Sequence, residues 1–273
     1  MKYAQLVVGP AGSGKSTFCN AIQQHCENIQ RSVFVVNLDP AAETFQYQPA
    51  VDVRNLISVD DVQEDKDLSF GPNGALVFCM GYLVQNLDWL HDQLDEAEDD
   101  YFLFDCPGQI ELYSHLPIMR QLVDALKSWD FNLCATFLLD THFVLDVDKF
   151  LGGALTTLST MVALEIPSVN VLTKVDLLSE RNKALLDAFL ETDSSSLLQG
   201  ETITPWNAKY RKLTETIATI LDDYSLVKFV PLNINDDESI SDLLLLIDNT
   251  IQYGEDLEVR ERYPDEKDDD ELW

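Results

Sequence analysis

Basic residues are scarce in this sequence. Eighteen Lys and Arg stand against 48 Asp and Glu among 273 residues, a formal net charge of −30. A field of that sign repels nucleic-acid phosphates and anionic lipid headgroups, so neither direct nucleic-acid binding nor a membrane surface is expected, whereas a basic protein partner is compatible with it. Cysteine is sparse as well. The five thiols, Cys19, Cys26, Cys79, Cys106 and Cys134, are scattered, odd in number and form no C-x-x-C pair. That excludes a disulfide framework or a zinc site and suits a reducing compartment, with buried thiols the expectation for all five. No apolar run approaches the roughly 18 residues that a membrane-spanning helix needs. The run Ala4–Val8 near the N-terminus is too short for the core of a signal peptide. The expected setting is the cytoplasm, with shuttling to the nucleus compatible.

Hydrophobic residues make up 46% of the chain, ample for a sizeable core. Short apolar runs at Tyr3–Val8, Ser32–Val36, Tyr101–Phe104, Cys134–Leu139, Val169–Leu172 and Lys228–Leu232 read as strands. Most lack polar alternation, which suits strands covered on both faces in a parallel sheet. Helical periodicity appears at Ser16–His25, Leu76–Asp95, Leu116–Lys127, Phe143–Leu164, Asn182–Leu190, Ala208–Asp223 and Ile240–Tyr253. Strands alternating with helices predict right-handed βαβ units. The expected fold is therefore α/β: a mostly parallel central sheet with helices on both faces and helical insertions. One domain over residues 1–260 is expected. Thr192–Pro205 reads as a loop, and the acidic tail over 261–273 cannot bury enough apolar area to order itself.

The strongest local signal is Gly9-Pro10-Ala11-Gly12-Ser13-Gly14-Lys15-Ser16, which fits G-x-x-x-x-G-K-[ST] between a strand and a helix, the context that a P-loop requires. Phosphates must approach backbone N–H groups closely, so Gly12 and Gly14 keep side chains away while Ser13 completes the loop. The following helix N-terminus adds partial positive charge. Lys15 supplies a full charge to the β- and γ-phosphates, Ser16 offers a hydroxyl to Mg²⁺, and Thr17 lies near the α-phosphate. The expected fold is thereby that of a P-loop NTPase.

Three further signals follow strands. Asp105-Cys106-Pro107-Gly108-Gln109 closes the run Tyr101–Phe104. An acid at the C-terminal end of a parallel strand faces the ligand crevice, so Asp105 is a candidate for holding Mg²⁺, and the Gly108 N–H can meet a γ-phosphate. Asp39, after Ser32–Val36, is a candidate for orienting the attacking water or a metal-bound water. Thr173-Lys174-Val175-Asp176 follows Val169–Leu172. A carboxylate such as Asp176 accepts hydrogen bonds from guanine N1–H and its 2-amino group, whereas adenine would leave it unpaired. Lys174 can lay its alkyl stem across the base. The nucleotide expected is thus GTP. The loop near Pro231-Leu232-Asn233 should close the base pocket, although no Ser-Ala-Lys sequence stands there.

Gly71-Pro72-Asn73, the surrounding text VDDVQEDKDLSFGPNG and the later DCPGQIELYSHLP resemble the GPN-loop GTPases over nearly the whole chain. The resemblance implies a GTPase activated by dimerisation, in which Asn73 of one subunit reaches the other's active site. It sets Asp39, Asp105, Gln109 and Glu111 at the family's polar positions around the catalytic water and the metal, which Ser16, Asp39 and Asp105 are the candidates to hold, and has Asn73 contact a phosphate or that water in trans. It further implies a heterodimer with a related paralogue, a homodimer being the other arrangement. RNA polymerase II subunits or assembly factors are the implied clients, in polymerase assembly and nuclear import. A GTP-binding assembly adaptor with negligible hydrolysis on its own is the competing reading. Phe143–Leu164 is expected either at the dimer interface or as a buried core helix.

Overall fold

Strands that are apolar on both sides need cover on both faces, and the computed structural model supplies it. It describes residues 2–65, 68–95, 101–143, 146–191, 205–224 and 227–254. The expected acidic tail lies outside these residues, as does the expected loop before Pro205. Seven strands form one sheet: β1 (Lys2–Val8), β2 (Val33–Asn37), β3 (Val51–Asp52), β4 (Tyr101–Asp105), β5 (Phe131–Asp140), β6 (Ser168–Thr173) and β7 (Phe229–Pro231). Their order is β3-β2-β4-β1-β5-β6-β7, and every pair is parallel. The expected α/β architecture is the one observed.

Successive residues of each strand serve opposite faces. Ala4, Leu6, Val8, Phe102, Phe104, Phe137 and Leu139 belong to one core cluster, and Tyr3, Val7, Tyr101, Leu103, Cys134 and Leu138 to the other. The second cluster is closed by α1 (Lys15–Asn28) and α10 (Asp237–Ile251). The first lies under α2 (Val59–Glu64), α3 (Pro72–Gln85), α4 (Leu87–Asp95), α5 (Glu111–Ser114), α6 (Ile118–Ser128) and α7 (Val147–Leu164), with α8 (Glu180–Glu191) and α9 (Pro205–Tyr224) beyond. All five cysteines are buried and free. Among the described residues no helix is long and apolar enough to cross a membrane.

Three local departures from the sequence reading have physical causes. The segment Leu76–Asp95 is two helices, because Asn86 caps α3 and its side-chain amide donates to the Tyr82 carbonyl at 2.8 Å, competing with the helical ladder. The first of these helices begins at Pro72, where a preset φ suits the first helical turn, with Gly71 as N-cap. A capping box between Ser58 and Asp61 starts α2, which periodicity alone does not reveal. The apolar helix α7 buries Phe150, Leu151, Ala154 and Leu164 and leaves Leu155 and Val162 exposed, so a core face and an outer apolar stripe share one element.

Candidate nucleotide site

Strand β1 sits between β4 and β5: the chain runs from β1 to β2 on one side and later crosses from β4 to β5 on the other, and this reversal opens a crevice beyond the strand C-termini. The P-loop fills the mouth of that crevice. Gly12 and Gly14 adopt φ of 77° and 90°, left-handed values that Gly takes without strain. A Cβ built on either meets nothing within 4 Å, so the space above the loop is open. Lys15 is 8% exposed, and its ammonium donates to the Gly9 and Pro10 carbonyls at 3.1 Å each. Burial lowers its pKa, and Asp105 and Asp39 work in the opposite direction.

A cavity of about 310 Å³ brings together Gly12, Gly14, Lys15, Ser16, Thr17, Asp39, Asp105 and Gly108. Gly108 approaches so closely that a Cβ there would lie 2.9 Å from Ala11 Cα and 3.0 Å from Lys15 Nζ. Asp105 is 2% exposed and ends β4. Burial raises its carboxyl pKa, against hydrogen bonds from Ser16 and Tyr47 and the charge of Lys15. Burial raises Asp39 likewise, and there the Ala41 N–H donates to Oδ1 at 2.9 Å. Two desolvated carboxylates beside a serine hydroxyl are hard oxygen donors. Among the described residues no group of three or more His, Cys, Asp or Glu forms a metal cage. That donor set fits Mg²⁺, which takes one or two carboxylates and completes its shell with phosphates and water.

The remaining candidates lie outside this cavity. Ser13 is fully buried, its hydroxyl has no hydrogen-bond partner, and its carbonyl accepts from Thr173 Oγ1 at 2.7 Å. Thr173 therefore staples the end of β6 to the P-loop. Lys174 follows in a left-handed conformation, φ 63°, and its ammonium donates to Asp140 Oδ2 at 2.7 Å. Asp176 stands half-buried in the short 3₁₀ turn Val175–Leu177. Glu111 is exposed at the start of α5.

A family model described as "Conserved hypothetical ATP binding protein" matches residues 7–253. The chain is 53% identical over 260 residues to a Danio rerio protein named GPN-loop GTPase 3, covering 95% of this chain and 91% of that one. A Xenopus tropicalis protein of the same name is 52% identical over 270 residues, covering 99% and 95%. The chain belongs to the GPN-loop GTPase family. The motif wording points, within the family, to the third eukaryotic paralogue group, in agreement with the names of these relatives. A solved apo-form GTPase from Pyrococcus abyssi superposes with a TM-score of 0.75 at 25% identity, covering 91% of this chain and 97% of that chain.

The GPN loop itself lies at the N-terminus of α3, with Asn73 exposed. Asn73 Oδ1 accepts a hydrogen bond from Gln109 Nε2 of the same chain at 2.9 Å. Two candidates from distant parts of the sequence are thus side by side within one subunit of this GPN-loop protein.

Two residues that sequence reasoning passes over join the site. Asp140 closes β5 and meets the Lys174 ammonium, the His142 N–H at 2.9 Å and the His142 ring at 2.8 Å. Burial works against its charge, yet the bonds from His142 and Lys174 hold its carboxyl below the usual range. Tyr47 is 5% exposed and donates its hydroxyl to Asp105 Oδ2 at 2.7 Å. Burial and the neighbouring Asp105 charge push the phenol pKa up, so it stays a donor.

Proposed function

We propose that this chain binds GTP at the C-terminal edge of its sheet and hydrolyses it with Mg²⁺ as a dimer-gated switch. The observation that carries this reading is the single cavity in which the P-loop lysine, the Ser16 hydroxyl, two desolvated carboxylates and Gly108 converge. Lys15 and the P-loop amides offset the charge on the phosphates as water adds to the γ-phosphorus and its bond to the bridging oxygen breaks. Ser16 and Asp105, with Asp39, would hold Mg²⁺, which when bound shares the charge of the β- and γ-oxygens. Gln109 and Glu111 orient the water, Asp39 is its candidate activator, and Asn73 of a partner completes the set. Lys174 and Asp176 read the base. A description naming ATP and relatives named GTPases point different ways, and the carboxylate of Asp176 favours guanine, because adenine would leave it unpaired.

The motif resemblance supports a heterodimer with a related paralogue, a homodimer being the other arrangement, and a role in assembly and nuclear import of RNA polymerase II from the cytoplasm. The second reading, an assembly adaptor with negligible hydrolysis on its own, draws on two observations. Among the described residues no arginine lines the cavity, and Gln109 is bonded to Asn73 within the subunit. Single-turnover GTP hydrolysis with and without the paralogue separates the two. Acceleration by the paralogue, lost in Asn73→Ala, supports the switch. Equally negligible rates in both conditions support the adaptor.

A further inference from the structure

Both carboxylates of the phosphate cavity lead back to one clamp. Arg54, in the turn after β3, donates through Nε to Asp52 Oδ1 and Oδ2 at 3.1 and 2.9 Å and through Nη2 to Oδ2 at 2.6 Å. Its Nη1 reaches back to the Ala42 carbonyl at 2.8 Å, and its guanidinium lies 4.4 Å from the Phe45 ring centroid. Phe45 stacks on Tyr47 with centroids 5.1 Å apart, and Tyr47 donates to Asp105. The other branch runs from Asp52 Oδ1, which accepts from Asn37 Nδ2 at 2.9 Å. Asn37 in turn accepts from the Asp39 N–H at 3.0 Å and donates to the Asp39 carbonyl at 3.1 Å. One arginine thus ties down the segment between Asp39 and β3, and with it the approach to Asp39 and Asp105.

From this geometry we infer that Tyr47 is a positioning residue for magnesium, orienting the Asp105 carboxylate toward Ser16, and that the Arg54–Asp52 clamp holds Tyr47 in place. A buried carboxylate needs hydrogen-bond donors in any protein, so a bond to Asp105 alone would be a matter of stability. The distinguishing feature is where the donor comes from. Tyr47 stands 58 residues away from Asp105, on the segment that also carries Asp39 at its start. Partners of this kind orient a ligating carboxylate, and their loss typically costs about 10–100-fold in metal affinity. The inference rests on the proposed magnesium–nucleotide site.

The test uses the full chain loaded with a fluorescent GDP and follows its release, chased by unlabelled GDP, across buffered free Mg²⁺ concentrations. Wild-type release should slow as Mg²⁺ rises. Tyr47→Phe, which removes only the hydroxyl, should shift the midpoint to about tenfold higher Mg²⁺ while release without Mg²⁺ stays within about twofold. Arg54→Lys keeps the charge but not the fork, and should shift the midpoint in the same direction. A Tyr47→Phe midpoint within twofold of wild type overturns the inference. So does a uniform acceleration at all Mg²⁺ concentrations, which would mark general loosening. If Tyr47→Phe does not fold by circular dichroism, Arg54→Lys alone decides: an unshifted midpoint overturns the inference and a shifted one supports it. A wild-type protein that binds GDP but ignores Mg²⁺ removes the magnesium site itself, and the inference falls with it.

Discussion

The two ends of the proposed nucleotide crevice differ in how they hold charge. At the phosphate end, Lys15, Asp39 and Asp105 are desolvated, and burial disfavours the charged form of each. At the base end, Lys174 and Asp140 are bonded to each other at 2.7 Å, their side chains 33% and 17% exposed, and the carboxyl is held below its usual range. The proposed phosphate end keeps one ammonium and two carboxylates desolvated beside an open cavity, whereas at the proposed base end one carboxylate is paired with one lysine.

The largest effect is expected at Lys15. Lys15→Ala removes a buried charge facing phosphates and should weaken GTP binding about 10³-fold by fluorescent-nucleotide titration. An affinity within tenfold of wild type would mean that the phosphate end does not depend on it. Asp176→Asn should lower the preference for guanine over xanthine nucleotides about 100-fold in competition binding, leaving the total capacity for nucleotide intact. If ATP competes as well as GTP in the wild type, the base end is not a guanine reader. Asp140→Ala should act more mildly. The bridge is partly exposed and screened, so freeing the Lys174 ammonium should weaken GTP and GDP equally, by about fivefold. Because the Asp140 pKa is lowered in the fold, the stability from this bridge is present above the carboxylate's ordinary value near 3.8 and fades as pH falls through the lowered value. Wild type and Asp140→Asn should therefore converge in melting temperature only on strong acidification. A difference unchanged from pH 7 to below 3 would show that the bridge is not its source.

How much of this was legible in the sequence follows from how local each feature is. The P-loop is contiguous, so its eight residues announce themselves. Strands buried on both faces read as apolar runs, and each lies within a few residues of its expected place. Strand β3 spans two residues at the sheet edge and leaves no such trace. Gly71-Pro72-Asn73 lies ahead of the periodic run that begins at Leu76, and the structure uses it as the start of that helix. The rule that singles out Asp39 and Asp105, an acid closing an apolar run, also describes Asp140 after Cys134–Leu139. What the rule does not supply is a partner, since the pairing with Lys174 depends on β5 lying beside β6. Tyr47 carries no local signal at all. Its bond to Asp105 exists because β2 runs beside β4 and returns the segment before β3 to the same edge.

The finest test of the contrast concerns two hydroxyls joined through one carbonyl. Thr173 Oγ1, at the base end, donates to the Ser13 carbonyl, and both residues are buried. Thr173→Val keeps the shape and deletes the donor, leaving a buried carbonyl short of a partner, at a cost of about 1–2 kcal/mol. Ser13 Oγ, behind the phosphate loop, is buried with no partner. Ser13→Ala removes a desolvated group that gains nothing in return, so it should stabilise the nucleotide-free protein by about 1 kcal/mol, roughly 2 °C in melting temperature for a chain of this size. Opposite signs for two small substitutions on one staple would separate a hydroxyl buried without a partner from one that holds a carbonyl. If both variants destabilise alike, Ser13 has a partner in the folded state.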